Sequence, residues 1–511
     1  MAEVMVRPIE TPWPAALYRP GLWIALIVAL VAVTQGPTYF DETLDYDEQT
    51  FILMAASVLD GHLPYTQLID NKPPGLFIVL AGAMALLGES WLAVRAFGDL
   101  CLVVLLILVF QYSKRFASVP AAGLASSVLA LTTADFMWAH TSSEILAMVP
   151  LLGAFMLIDR DELTFRRMAL AGVLVAAAVL IRTNLAIVAV LLGVWLLFRV
   201  VRTGKGLAGV FGYGLGGLSV LALLLAAYAS AGALPNLWVA AVEVPLSYSA
   251  NQSSSSGVAY RFLLKLGFLI FVEKPWLWVP YVALVALGIA RSKRAGGRTV
   301  HVLFLWAAIT FVALSILKSG TLYGHHMTQL LPLLTVASAR GLDHVPLRTA
   351  SAKFLTLPIA LGMIASVGLS LISTTNSVRS GKPLVGHGDV ANIAAIIQGD
   401  IEQGDTIWAI RAHILHHVLN VPPIYPVMVH PENIVRDEIR RPIAEAGFLP
   451  DDAFQRVVDS RPQFIIFDSE ELTLYPYSSD MPELEGILAQ DYEVAYESDA
   501  FILLRYVGNR E

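Results

Sequence analysis

The amino-acid sequence predicts a mainly α fold: a polytopic membrane helix bundle of about eleven spans, followed by a small mixed α/β domain. Three observations predict it. Of 511 residues, 56% are hydrophobic and only 15% are charged, where a soluble chain carries about a quarter. Long apolar runs recur through the first three quarters of the chain. Beyond about residue 374 the runs shorten to strand length and alternate with helical segments.

The spans follow in order. Apolar runs lie near 21–37, 94–111, 118–138, 144–158, 168–183, 184–198, 206–231, 262–290, 299–317, 324–340 and 353–373. Runs of roughly 18 or more residues with few charges read as membrane helices. In lipid every backbone polar group must pair within its own segment, so the runs are read as helices. The ten-residue alternation of a transmembrane barrel is absent. The first run, Gly21 to Val33, is followed by many more and reads as a span, not as a cleaved signal peptide. Only Arg182-Thr183-Asn184 separates the fifth run from the sixth. The run at 262–290 carries Lys265 and Lys274, which moves its span proper toward Pro275.

The stretch Gly75 to Gly88 is apolar but only 14 residues long, which suits an interfacial or re-entrant helix. Orientation supports that choice. If the stretch does not cross and the N-terminus is cytoplasmic, the inside loops hold Lys114, Arg115, Arg160, Arg166, Arg167, Arg199, Arg202, Lys205, Arg291, Lys293, Arg294, Arg298, Arg340, Arg348 and Lys353. The outside holds fewer: Lys72, Arg95, Arg182, Arg261, Lys265, Lys274 and Lys318. This is a positive-inside bias, and it inverts if 75–88 is counted as a span. The chain then divides into a transmembrane part, 1–373, whose first outer loop is 37–95, and an outer domain, 374–511. In a bacterium this is a multi-pass protein of the inner membrane whose outer side is the periplasm.

The net charge of −7 sums compartments that never mix and identifies no partner beyond the bilayer. No basic stripe with interleaved aromatics marks a nucleic-acid partner. Cys101 is the single cysteine, so no internal disulfide forms.

The first outer loop is acidic, with Asp41, Glu42, Asp45, Asp47, Glu48, Asp60, Asp70 and Glu89. Phe51, Ile52, Met54, Ala55, Val58 and Leu59 share one helical face, and Gly61 ends the helix. This predicts a helix lying on the membrane surface. In the second outer loop, the polar stretch Asn251 to Gly257 suits a lid or a plain linker. In the tail, Thr406 to Ile410, Phe464 to Phe467 and Phe501 to Leu504 read as strands, and Pro482 to Gln490 as a helix.

Carboxylates at the lip of a span are costly to bury and call for a functional or pairing reason. Asp47 and Glu48 open the surface helix, and Glu144 lies at the outer end of a span on the same side. Paired carboxylates suit general-base work or a divalent cation. The structural alternatives are a helix N-terminal acid for Asp47 and an interfacial cap for Glu144. A cationic set lies on the same side. Lys72 stands in Asp70-Asn71-Lys72-Pro73-Pro74-Gly75, where the prolines fix a turn and start a helix. Lys318, Tyr323, His325 and His326 share another outer lip, where Lys and His suit a phosphate. Lys72 also fits snorkelling to headgroups, and Arg182, on the same side, suits an anion or, more simply, snorkelling at a helix end. Adjacent histidines on a helix point apart, which weakens His325 and His326 as a metal pair. His413, His416 and His417 have zinc-compatible spacing with no matching Cys or carboxylate pattern.

Taken together, Asp45-Tyr46-Asp47-Glu48-Gln49-Thr50-Phe51, Leu59-Asp60-Gly61-His62-Leu63-Pro64-Tyr65, Asp70-Asn71-Lys72-Pro73-Pro74-Gly75, Gly88-Glu89-Ser90 and Arg95 resemble the first outer loop of the GT-C glycosyltransferases. The branch they resemble holds the bacterial relatives of the protein O-mannosyltransferases and of the lipid A aminoarabinose transferase. The motif match spans roughly 45–95, with looser echoes at Glu144 and at 323–332. The resemblance implies transfer of a sugar from a polyprenyl-phosphate donor to a glycan, lipid or protein acceptor of the cell envelope, lipopolysaccharide included, with inversion. It implies Asp47 as catalytic base, Glu48 and Glu144 beside it, and Lys72 on the leaving phosphate. Arg95, Tyr323, His325 and His326 join the substrate site. Glu144 departs from the family's commoner Asp. No cofactor is required, and a divalent cation is compatible. A transporter or lipid flippase is the competing reading. It predicts ionisable residues or broken helices near mid-membrane and an internal repeat, whereas this chain gathers its ionisable residues at one lip.

Overall fold

The computed structural model describes residues 13–42, 46–136, 141–247, 275–292, 299–319, 324–343, 350–402, 405–409, 412–428, 437–449, 459–468 and 488–508, with 260, 264, 267 and 486 besides. Tyr323, Lys265, Lys274 and the polar stretch Asn251 to Gly257 lie outside the described residues, as does most of Pro482 to Gln490.

The chain is a polytopic helical bundle. Its longer helices among the described residues are α1 (Pro20–Gln35), α2 (Tyr46–Leu59), α3 (Pro74–Leu87), α4 (Trp91–Ser113), α5 (Val119–Phe136), α6 (Ser143–Ile158), α7 (Phe165–Ile181), α8 (Ala186–Thr203), α9 (Leu207–Ser230), α10 (Pro275–Ser292), α11 (Thr299–Ser319), α12 (Leu331–Leu342) and α13 (Ala350–Arg379). Apart from α2 and α3, each falls on a predicted apolar run. Among the described residues, six helical stretches are long and apolar enough to cross a membrane: Pro20–Phe40, Trp91–Ser113, Thr183–Thr203, Leu207–Ser230, Val300–Lys318 and Leu357–Arg379. The two runs around Arg182 do separate, because Arg182 is extended (φ −144°) and a 3₁₀ turn, Thr183–Leu185, restarts the chain into α8.

Small residues set the tightest crossings. A methyl group added to Gly212 or Gly216 of α9 would collide with backbone oxygens of Phe165 or Ala169 in α7. Lipid offers no hydrophobic gain for helix association, so this close approach of backbones supplies the contact.

Two expectations change. The run at 324–340 is divided: Gly324–Gln329 form a 3₁₀ turn, and only the 12 residues of α12 are α-helical. The amphipathic helix α2 does not lie free on a membrane surface. Every residue from Glu48 to Ser57 is buried, because α3 packs on one side of it and the tail domain on another. The 14-residue α3 is about 21 Å long, short of a hydrocarbon core of about 30 Å.

The tail holds α14 (Asp389–Asp400), β1 (Ile407–Ala409), α15 (Ile414–Leu419), α16 (Asp437–Glu445), β2 (Phe464–Asp468), β3 (Tyr492–Glu497) and β4 (Phe501–Tyr506). The sheet order is β1-β2-β4-β3, with β1 parallel to β2 and the remaining pairs antiparallel. Phe464, Ile466, Phe501 and Leu503 face the core shared with the bundle. Ile465, Phe467, Ile502 and Leu504 form a smaller cluster on the opposite face, the alternation expected of strands. The edge strand β3 (YEVAYE) escaped the sequence reading because Glu493 and Glu497 interrupt its apolar residues. The tail is anchored to the first loop by Glu42. Its carboxylate accepts from the amides of Gly386 (2.7 Å), Gly388 (3.1 Å) and Val390 (3.0 Å) at the start of α14, where the helix dipole favours an anion.

Candidate active site

Titratable residues from five segments converge at the end of the bundle that carries α2. Asp47 lies in the first turn of α2. Its Oδ2 is 3.0 Å from Lys72 Nζ, and the two side chains remain 33% and 22% exposed. Lys72 also lies 5.5 Å from the Phe51 ring centroid, a cation–π distance.

The turn that presents Lys72 is tied down from several directions. The Asp70 carboxylate accepts from the Lys72 amide at 2.7 Å. The buried Tyr65 hydroxyl donates to the Lys72 carbonyl. Tyr65 holds φ at 69°, an uncommon conformation for a bulky side chain, and Asn236 Nδ2 donates to its carbonyl at 2.8 Å. Pro73 and Pro74 then start α3. Gly75 permits the next contact, since a Cβ there would sit 2.6 Å from the Leu180 carbonyl. This absence of a side chain lets α3 approach the end of α7, just before Arg182.

Burial pushes the Asp70 carboxyl up to about 6, against the pull of Lys72. Burial alone would lower the Lys72 ammonium, but Asp47 and Asp70 outweigh it and hold its pKa above the ordinary lysine value.

The second half of the site is built around Glu144, which is 3% exposed. Arg182 Nη1 stands 2.6 Å from Glu144 Oε1 and donates to Ser143 Oγ at 2.8 Å. Ser142 and Ser143 hydroxyls donate to Glu144 Oε2 at 2.9 and 3.3 Å. His325 and His326 bring their Nε2 atoms to 3.8 and 4.0 Å from Glu144 Oε1. On an α-helix two adjacent rings would diverge, but here they lie on the 3₁₀ turn with centroids 4.7 Å apart. One ligand atom from each of the three groups lies within 4.8 Å of the others, a spacing that can hold a metal ion. The donor set of two imidazoles and one carboxylate suits a divalent transition-metal cation. Glu144 Oε1 has no hydrogen-bond partner; its contact with Arg182 is a charge contact without hydrogen-bond alignment. Asn184 locks the assembly, donating to Ser315 Oγ at 3.2 Å and to Gln329 Oε1 at 3.0 Å.

Glu48 and Arg95 are placed differently. Successive residues leave a helix about 100° apart, and Glu48 points into the fold. It meets Arg95 Nη2 at 2.7 Å with both side chains at 0% exposure. Trp91 Nε1 donates to it at 2.6 Å and the Thr141 hydroxyl at 3.1 Å. Arg95 also donates to the carbonyls of Thr38 and Asp41. The pair ties α2, α4 and the chain before α2 together, and its groups are occupied by one another.

Thus Asp47, Lys72, Glu144, His325 and His326 come together, and Glu48 with Arg95 form a buried joint behind them. Arg182, read from sequence as a snorkelling side chain or an anion ligand, stands against Glu144; the signal was a charge wedged between two apolar runs. The tail histidines do not converge. His413 bonds to Thr50 (2.9 Å), His416 to the Val421 carbonyl (3.0 Å) and His417 to the Glu89 carbonyl (3.5 Å).

The sequence matches no protein-family model and no curated protein. Solved structures do match the fold. ArnT from Cupriavidus metallidurans bound to undecaprenyl phosphate superposes with a TM-score of 0.62 at 13% identity, over 95% of this chain and 97% of that one. The same protein in the apo state gives 0.61 at 14% identity, over 95% and 98%. An oligosaccharyltransferase of Archaeoglobus fulgidus, tethered with an acceptor peptide, gives 0.49 at 12% identity, over 97% and 75%. The superposition covers nearly the whole of both chains, and the chain shares the fold of ArnT.

Proposed function

We propose that the chain is a membrane glycosyltransferase that moves a sugar from a polyprenyl-phosphate donor to a hydroxyl of an envelope glycan, lipid or protein. The observation that carries this reading is the Asp47–Lys72 pair: a partly exposed base and cation in contact, beside Arg182 and Glu144, on a fold that in ArnT holds undecaprenyl phosphate.

The chemistry follows from the placement. Asp47 takes the proton of the acceptor hydroxyl. The oxygen attacks the anomeric carbon from the face opposite the leaving group, the bond to the phosphate oxygen breaks, and configuration inverts. Charge develops on that oxygen, and the Lys72 ammonium is fixed where it can stabilise it. Arg182 adds a second cation. Glu144 positions Arg182, and Glu144, His325 and His326 would together hold a divalent cation, which would supply further positive charge for the phosphate. Glu48 and Arg95 hold the start of α2 and so aim Asp47.

The lipid tail needs apolar surroundings and the acceptor needs water, and a site at the bundle's end serves both. The positive-inside pattern supports an orientation in which this end and the domain 374–511 face the periplasm of a bacterial inner membrane. The deciding experiment is a transfer assay with purified protein and a panel of polyprenyl-phosphate sugars. Asp47-dependent release of polyprenyl phosphate is expected. A folded protein that releases none from any donor would return the chain to the transporter reading.

A further inference from the structure

Asp47 and Lys72 come from different segments, α2 and the turn before α3, and their geometry persists only if both segments are held on one frame. We propose that His413 and the chain from 413 to 428 are that frame, with His413 a positioning residue for Asp47; the inference rests on the transferase reading above.

Thr50 follows Asp47 by three residues, so it lies near the same face of α2. Its hydroxyl is 2.9 Å from His413 Nδ1. The Ile414 amide donates to Gln49 Oε1 at 3.4 Å. On the other segment, Ile69 precedes Lys72 by three residues and pairs in parallel with Val427. The Ile69 amide donates to the Pro426 carbonyl at 2.7 Å, and the Met428 amide donates to the Ile69 carbonyl at 2.8 Å. Thr50 Oγ1 also lies 3.5 Å from the Met428 carbonyl, which joins the two contacts. Thr50, Ile69, His413, Val427 and Met428 are all buried, so water does not compete for these bonds. A tail domain that only covered the site would not need bonds at one turn's distance from each member of the ion pair. The domain therefore acts on chemistry through geometry, and movement of the tail is transmitted to the base.

The test uses the full-length chain and measures kcat and donor KM from the release of polyprenyl phosphate. Thr50→Val removes the hydroxyl and keeps the shape; His413→Ala removes the ring; His413→Asn keeps a polar group near Nδ1. Small misplacements of a catalytic group cost up to about 100-fold, so kcat is expected to fall about ten-fold or more in Thr50→Val and His413→Ala, with donor KM within about two-fold. The double variant should be no slower than the worse single one, as expected for residues acting through one contact. His413→Asn should recover about half the rate. Unchanged kcat in both single variants, or losses that multiply in the double variant, would overturn the proposal. If His413→Ala does not fold, Thr50→Val decides. Hydrogen exchange of α2 amides is read in parallel: faster exchange is expected in Thr50→Val, and unchanged exchange overturns the frame whatever the activity. Asp47→Asn separates the two readings. An active Asp47→Asn sinks the transferase mechanism, whereas an inactive Asp47→Asn beside fully active Thr50→Val and His413→Ala sinks only the positioning role.

Discussion

Two ion pairs begin at adjacent residues of α2 and have opposite characters. Glu48–Arg95 is sealed, with both side chains at 0% exposure and further donors from Trp91 and Thr141. Asp47 and Lys72 meet at 3.0 Å and keep 33% and 22% of their side chains in reach of solvent. A sealed pair whose remaining lone pairs are filled cannot accept a substrate proton without dismantling the fold. An open pair can exchange its partner for a substrate group. The acidic dipeptide thus separates into a sealed pair and a solvent-reached one because a helix turns about 100° per residue.

The largest effect is expected at the joint. Arg95→Met leaves the Glu48 carboxylate buried without its cation, a loss of about 3–5 kcal/mol. Thermal unfolding in detergent should show a collapsed Tm or no folded protein; a normal Tm would show that the pair is not structural. Asp47→Asn should do the reverse. Its stability cost should stay within about 1 kcal/mol, typical of solvent-reached pairs, while transfer falls about 10²–10⁴-fold. Lys72→Met should keep the fold and slow release of polyprenyl phosphate about 10²-fold, and an unaltered rate would return Lys72 to a headgroup contact.

Glu144–Arg182 is intermediate, 4% and 14% exposed, and sharpens the comparison. Arg182→Gln should cost about 1–3 kcal/mol through the stranded carboxylate and also raise donor KM about ten-fold. A variant affected in only one of the two would assign Arg182 to one role.

The smallest effect is a pH dependence at Asp70. Its carboxyl is raised by burial to about 6, above the ordinary value near 3.9 for the unfolded chain. Between about pH 4 and 6 the folded state therefore binds more protons than the unfolded state, and this group's contribution to stability is present at low pH and lost as pH rises. Asp70→Asn should remove that component. Unfolding free energies measured from pH 4 to 7 that keep the same slope in the variant would show that Asp70 does not carry it.

Several features were legible because they depend on local chemistry. The apolar runs located the bundle helices, since span length and apolarity follow directly from bilayer thickness. The Lys-Pro-Pro-Gly turn announced a fixed lysine at a helix start, and α3 does begin at Pro74. The partition of Asp47 from Glu48 was not legible, because it depends on where Arg95 and Trp91 arrive from α4. Arg182 was weighed as a membrane-lip side chain, because nothing local shows that Glu144 waits opposite. The convergence of His325 and His326 needed the 3₁₀ turn, which the apolar run around it concealed. The burial of α2 needed the tail domain, many residues later in the chain.

By itself, then, the sequence determined a polytopic helical bundle, a small α/β tail and an acidic and basic first loop, since hydrophobic length, periodicity and turn chemistry act within a few residues. Only the tertiary structure decided which charges meet. Helix crossings set by glycine contacts and the docking of residues 413–428 bring distant segments together, and whether a carboxylate is sealed or solvent-reached depends on the partners that meet it there.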